Sequence, residues 1–471
     1  MTTATVVGSG PNGLAAAVTL ARAGVSVTVL EMADRIGGGT RTSELTVPGV
    51  LHDDCSAVHP MGAASAFFRS AGLEQYGLRW LSAPIDVVHP LDGRRAGILH
   101  TSLVDTATGL GPDGARWRRV FAPLTESFDK LAAEFFQPIT HIPRHMVSMA
   151  WFGPTALSPA TLTASRFRTD EARALFGGVA AHAVYPLTRP TTSAIGAMMI
   201  AAGHNHGWPV AEGGSQAITT AMATLLADLG GTVHTGVRVT RLDEVVGDDI
   251  VMLDLSPTAV ADLAGDRLPS RVERAYRRYR YGPGAFKLDI AVDGGIPWAT
   301  EAACSAGTVH VCGSFEQVVA AERDVHRGIM PQRPFVLLAQ QYLADPSRSA
   351  GSIHPIWAYA HTPHGYTGDA TELILEQIER FAPGFRERIV AIHSRTPTEM
   401  PSYNPNYVGG DIITGLNSPR QVLMRPRAAF DPYTTGIDGV YICSAATPPG
   451  GGVHGMNGHN AAVSALRRVA A

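Results

Sequence analysis

Residues 6–31, VVGSGPNGLAAAVTLARAGVSVTVLE, limit what this chain can fold into more than any other stretch. ATVV, just before Gly8, is small or β-branched throughout and reads as a short buried strand. Gly8, Gly10 and Gly13 then form a GxGxxG turn, with Pro11 and Asn12 between the last two. The first glycine permits the tight turn, and the second lets backbone approach a pyrophosphate. The third lets the following helix pack close on the strand. LAAAVTLARAG is an alanine-rich helix ended by Gly24, and its N-terminus offers free N–H groups and partial positive charge to phosphate. VSVTVL is a second strand, closed by Glu31, whose carboxylate suits the two hydroxyls of an adenosine ribose. Strand, turn, helix, strand and acid in this order predict a site for an ADP moiety.

At 471 residues the chain is long enough for two or three domains' worth of core. Hydrophobic residues make up 45% and charged residues 17%, a balance that suits a well-packed interior. A net charge of −3 gives no reason to expect a nucleic-acid partner. No run of 18 apolar residues occurs, so no transmembrane segment is expected, which leaves a peripheral membrane contact open. The first strand begins by residue 4, so no signal peptide is expected. Cys55, Cys304, Cys312 and Cys443 are scattered and fit neither a disulfide framework nor a zinc site, and no metal is expected. A cytoplasmic protein is the plain expectation.

Which dinucleotide binds is decided further along. MADRIGGGTRTSEL brings Arg35, the doublet Gly37–Gly38, and Arg41 directly after the second strand. Backbone amides and a guanidinium added to one pyrophosphate grip more firmly than an exchanging nicotinamide requires. Near the C-terminus, YICSAATPPGGGVHGMNGHNAA is a strand at 440–443, a proline–glycine loop and a helix running to about Val469. Ser444, Gly451, Gly452, Val453 and His454 fall in that loop. A helix N-terminus there favours negative charge, and the carbonyl edge of an isoalloxazine becomes anionic on reduction. A resident flavin fits both signals.

Between these ends, GGSQAITTAMATLLADLGG predicts a helix over 215–229, and TVHTGVRVTRL predicts a strand pair. DDIVMLDLSP, GAFKLDIAV and PFVLLAQQYL read as strands, and ELILEQIERFAPGF as an amphipathic helix. Residues 136–210 are rich in proline, histidine and aromatics, a composition suited to a pocket or access channel.

In order and across essentially the whole length, these motifs resemble the FAD-dependent phytoene desaturase-like oxidoreductases of the amine oxidase superfamily. They resemble in particular the branch named for pyridine nucleotide-disulphide oxidoreductase domain-containing protein 2. The motifs that carry the likeness are GxGxxG with Glu31, DRIGG, HDDCSAVHP, WPVAEGGS with TGVRV, YGPGAFKLDIAVDGGIPW, YNPNYVGGDI and the C-terminal YICSAATPPGGGVHGMNGHNAA. The resemblance implies an α/β fold: a Rossmann-like FAD-binding domain of the glutathione reductase type 2 kind, built from discontinuous segments, with a mixed α+β substrate domain. Residues 1–84, 204–270 and 430–471 would form the first, and 85–203 and 271–429 the second. By position, Gly8, Gly10, Gly13 and Glu31 would hold the ADP half, Gly38 and Arg41 the pyrophosphate, and backbone at Val239 the adenine. Gly451, His454 and Gly455 would lie beside the isoalloxazine. Lys287, on the strand after YGPG, would bond through water to flavin N5. Read from the residues alone, Lys287 sits on a solvated strand face with Ala285 and Asp289. Only DEVVGD joins Leu242 to Asp249, where the family usually has a longer β-meander, so this edge of the domain is expected to be trimmed. No cysteine stands where flavin is attached covalently, so the FAD is expected to be non-covalent.

The expected reaction is hydride removal from a lipophilic or aromatic small molecule onto flavin N5, by desaturation or C–O or C–N oxidation, with reoxidation by oxygen or a quinone. Lys287 and His454 are the catalytic candidates, His454 as acid or base in a mobile glycine-rich loop. His59, Trp208, Trp298 and Tyr407 are the candidate walls of the substrate pocket. Two other classes stay open. A flavin monooxygenase would need NAD(P)H, though no second nucleotide fingerprint is present; a non-catalytic flavin-binding interaction protein would lack a substrate-sized cavity.

Overall fold

Strand Thr3–Val7 takes the middle of a five-stranded sheet in the computed structural model, which describes residues 2–138 and 141–469. The order is Val440–Ile442, Ile250–Leu253, Thr3–Val7, Ser26–Leu30, Thr232–His234, and every neighbouring pair is parallel. Val6 stands between Met252 and Val29 in register. The chain order of these strands across the sheet, 5-4-1-2-3, reverses direction beside the first strand. The crevice at such a switch point, past the carboxyl ends of the strands, is where α/β sheets bind ligands. Gly8 follows Val7 there and Asp254 follows Leu253.

Helix Pro11–Arg22 starts as its sequence dictates: Gly10 is an extended N-cap, proline takes the first turn, and Gly24 at φ +83° ends it. Its alanines are buried because helix Met456–Val469 lies against it. The contact is closest at Gly458, where a Cβ would fall 1.8 Å from the Asn12 carbonyl oxygen. The predicted helix over 215–229 is Gln216–Asp228. The predicted strand pair is corrected: only Thr232–His234 is a strand. Beyond it Gly236, at φ +71°, turns the chain so that the Gly236 and Val237 amides donate to Ala33 and Glu31, and residues 237–241 form a loop. Between Leu242 and Ile250 there is a short 3-10 turn, Leu242–Glu244, and no strand.

The second sheet has seven strands, in the order Ile389–Arg395, Gly284–Asp293, Ile353–Thr362, Val336–Ala339, Ala306–Val311, Ile85–Pro90, Ala96–Leu99. Neighbours are antiparallel except Ala306–Val311 with Ile85–Pro90. Alternation sorts its residues. Phe286, Leu288, Ile290 and Val292, with Ile356, Ala358 and Ala360, pack with Ile374, Ile378 and Phe381 of helix Thr371–Phe381. The opposite face carries Ala285, Lys287 and Asp289, then Trp357, Tyr359 and His361, and turns toward the five-stranded domain and a helical layer. That layer includes Asp170–Ala180 and Thr192–His206, the latter buried through most of its length. The face with Lys287 is therefore not solvated: Lys287 is 2% exposed and Asp289 fully buried.

Candidate active site

One elongated cavity of about 760 Å³ begins at Glu31 and loop 237–240, passes Gly10 and Gly38, and ends in a chamber between the seven-stranded sheet and helix Thr192–His206. The first half is made of backbone. A Cβ on Gly13 would stand 2.1 Å from the Gly8 carbonyl oxygen, one on Gly10 2.8 Å from Asp254 Oδ2, and one on Gly38 2.9 Å from Gly10 Cα. At Gly13 and Gly38 backbone leaves no room for a side chain, at Gly10 one would have to push the Asp254 carboxylate aside, and the wall stays low enough for a ligand to reach backbone. Gly10, the N-cap of helix Pro11–Arg22, has no side chain to cap it. The Gly13 amide donates to Asp254 Oδ2 at 3.0 Å, and Asn12 Oδ1 is buried without a partner. Asp254, which the motif reading passed over, is pushed up to about 7 by burial, with the Glu31 carboxylate adding to the rise.

Glu31 lines the cavity and is already engaged. Its carboxylate accepts from the Ser9 amide at 2.9 Å, the Ser9 hydroxyl at 2.7 Å and the Ala33 amide at 2.9 Å, and pairs with Arg41 at 3.3 Å. These four donors match the capacity of a carboxylate, so a ribose hydroxyl would take the place of the longest contact. Arg41 is 6% exposed and held only by long bonds, 3.2–3.4 Å, to Glu31, Arg35, Ile36 and Tyr403. A guanidinium so loosely committed can turn to a pyrophosphate. The backbone of Val239 makes no hydrogen bond to the described residues.

At the C-terminal loop, Ser444, Gly451, Gly452, Val453 and His454 all line the cavity. Asn457 ties the loop down, donating to Thr447 at 2.8 Å and Gly450 at 3.2 Å. His454 is not in a mobile segment: it is 2% exposed, its Nδ1 accepts from the Met456 amide, and its ring lies 5.1 Å from that of Phe136. Burial holds it down to about 4, so it is a neutral acceptor.

Of the remaining expected residues, Gly8, Pro11, Asn12, His59, Trp208 and Tyr407 line the cavity. Gly13, Gly37 and Gly455 shape its turns from outside. Three expectations are corrected. Arg35 is a surface group bonded to Ser43 and Asp54, because its side chain follows the short strand pair Thr42–Ser43 and His52–Asp53 away from the cavity. Trp298 lies in the core beneath helix Thr371–Phe381, its Nε1 donating to Gln340 at 3.0 Å. Lys287 stands one layer behind the cavity wall. Its ammonium pairs with Asp289 and lies 5.9 Å from the ring centre of Trp357, which does line the cavity. Burial works against the charge of Asp289, but Lys287 and His393 together with His52 hold its carboxyl below the usual range.

The chamber contains residues the motifs did not flag: Cys55, Trp357, Tyr359, His182, Met198 and Met199. Trp357 Nε1 donates to the Cys55 carbonyl at 2.8 Å, and the rings of Trp357 and Tyr359 meet edge to face at 5.1 Å. Burial pushes the Cys55 thiol up, so it stays protonated. Both faces of strand Ile353–Thr362 are buried, so no polar–apolar alternation in the sequence marks Trp357 and Tyr359 as the cavity side.

Residues 6–71 match the NAD(P)-binding Rossmann-like domain model. Over 98% of its length the chain is 23% identical to pyridine nucleotide-disulfide oxidoreductase domain-containing protein 2 of Mus musculus, covering 92% of that protein. Among solved structures it superposes on a putrescine oxidase bound to putrescine with a TM-score of 0.62, at 19% identity, over 100% of this chain and 99% of that one. Cyclohexylamine oxidase from Brevibacterium oxydans IH-35A gives 0.60 at 16%, with both chains covered completely. Fold and comparisons thus define an α/β protein whose fold is shared with these oxidases. Within it, the resemblance to the branch of pyridine nucleotide-disulfide oxidoreductase domain-containing protein 2 holds along nearly the whole chain.

Proposed function

We propose that the cavity holds FAD non-covalently and that the protein is an oxidoreductase acting on a lipophilic or aromatic small molecule. The observation that carries this reading is the continuity of one cavity from the glycine turn at Gly10 to the Trp357–Tyr359 chamber. The residues fit the group: a cradle where a Cβ at Gly13 or Gly38 would strike backbone, a helix start whose N-cap is glycine, an unbonded backbone at Val239 and a chamber beyond the second glycine loop. When bound, FAD would supply an acceptor for a hydride from a substrate carbon.

The chain's own residues bind, orient and exclude water. Glu31 and Val239 would fix the adenosine, and Gly10, Gly38 and Arg41 the pyrophosphate. Gly451, Gly452 and the N-terminus of helix Met456–Val469 would face the ring with partial positive charge. Trp357, Tyr359, Met198 and Met199 present apolar surface to the substrate. His182 faces the cavity: its Nε2 bonds His310 Nε2 at 3.1 Å, and the ring makes no other hydrogen bond to the described residues. Burial lowers it to about 3, so it stays neutral and serves as a hydrogen-bonding group in the chamber wall rather than as a base. Lys287 acts through Trp357 and is a positioning residue. Oxygen or a quinone would take the electrons onward.

The test is anaerobic. Fractions of a cell extract, and separately NADH and NADPH, are added to the purified protein while its visible spectrum is followed. Bleaching by one fraction and recovery in air is the result expected. Bleaching by NAD(P)H alone would transfer the protein to the monooxygenase class, and a flavin that nothing bleaches would favour the non-catalytic reading.

A further inference from the structure

An extended apolar face lies on the described surface, outside the cavity. In helix Met146–Leu157, Phe152 turns inward with Met149 and Ala156, and the helix packs on Thr192–His206. Its outward side presents Met146 (66% exposed), Val147 (75%), Trp151 (73%) and Leu157 (68%). Ile142 before the helix and Leu162 after it are exposed too. Met146, Ala150, Pro154 and Leu157, with Val147 and Trp151, recur at helical spacing, so they form one face rather than scattered exposures.

Charge says what covers it. Between Glu134 and Asp170 there is no acidic residue, while Arg144, Arg166 and Arg168 are exposed, and none of the three is in an ion pair among the described residues. The segment beside the end of this helix lines a basic recess of about 260 Å³ with Arg189, Arg323, His326 and Arg327. The two are joined by backbone: the Thr191 amide donates to Leu157 at 3.3 Å and the Thr161 amide to Leu187 at 3.2 Å. Arg323 pairs with its neighbour Asp324, but Arg189 and Arg327 have no carboxylate partner among the described residues. A protein partner or a second copy would have to bring its own acids to this ring of arginines. A bilayer rich in acidic headgroups offers both apolar depth and negative charge over one plane, and an indole suits the interface between them.

We propose that this face, from Ile142 to the Arg189–Arg327 recess, docks the protein on an anionic lipid surface. No helix among the described residues is long and apolar enough to cross a membrane, so the contact is peripheral. The docked face lies on the far side of helix Met146–Leu157 from Thr192–His206, whose Ile195, Met198 and Met199 line the chamber. The proposal does not depend on the flavin.

Flotation of the full-length protein with phosphatidylglycerol–phosphatidylcholine vesicles, against vesicles of phosphatidylcholine alone, tests it. Of six tryptophans only Trp151 is exposed, so its emission reports the contact directly. Expected are flotation with the anionic vesicles only, a blue shift of the emission, and release by salt. Val147→Asp and the double variant Arg189→Glu/Arg327→Glu each weaken binding by more than about tenfold, with unchanged far-UV circular dichroism. Protein that stays unfloated, floats equally with neutral vesicles, or buries Trp151 in a concentration-dependent dimer overturns the proposal.

Discussion

The two ends of the cavity are built from different material. The nucleotide end is backbone: glycines whose Cβ would collide with the Gly8 carbonyl, the Asp254 carboxylate or the Gly10 turn, and the start of helix Pro11–Arg22. The chamber end is side chains delivered by strands and helices far apart in sequence: Cys55, His182, Met198, Trp357 and Tyr359. A backbone site tolerates no substitution because its geometry is the binding surface. A side-chain site can change its lining while the fold stands. The first would serve a fixed cofactor and the second the substrate.

The most damaging way to break this contrast is at Gly13. A methyl there must displace the Gly8 carbonyl from 2.1 Å, so Gly13→Ala should abolish FAD retention and lower stability by about 2–4 kcal/mol. Flavin absorbance after gel filtration, with a denaturant melt, checks both; retained yellow colour would mean that the turn is not a fixed surface.

Next comes the layer behind the chamber. Lys287→Met leaves Asp289 charged and buried, and should cost about 3–5 kcal/mol in urea unfolding, while Lys287→Met/Asp289→Leu recovers most of it. A single variant as stable as the parent would show that the pair is not what holds this face of the sheet.

A smaller effect is expected from pH. Asp254 beside the turn titrates near 7 and gains negative charge as pH rises through that value. FAD affinity should therefore be highest below pH 7 and fall by up to about tenfold above it. Asp254→Asn should flatten the profile, as read by fluorescence titration of the apoprotein.

Least of all is expected from Arg35, with its side chain 46% exposed. Arg35→Ala should change FAD affinity less than about twofold and stability by under about 1 kcal/mol.

The same contrast explains what the sequence disclosed. Gly8, Gly10, Gly13 and Glu31 were legible because a backbone site demands glycine at fixed local spacing. The Gly451–His454 loop was legible for the same reason. Trp357 and Tyr359 were not, because both faces of Ile353–Thr362 are buried and the strand reads as a nearly continuous apolar run. Trp298 was placed on the cavity for its residue type, and composition cannot say which face of a sheet a tryptophan joins. Arg35 and Lys287 were drawn toward the ligand by motif position alone, while Asp54 and Asp289 claim their charges. Residues 237–241 kept a strand-like pattern, but the turn at Gly236 commits the Gly236 and Val237 amides to Ala33 and Glu31 and leaves the rest outside the sheet.

The central claim, that one FAD rests in this cavity, is tested most directly by the visible spectrum of the purified protein before and after denaturation. The account predicts a flavin spectrum, one FAD released per chain on unfolding, and nothing yellow left on the polypeptide. A colourless protein that binds no FAD when the cofactor is added back would contradict it.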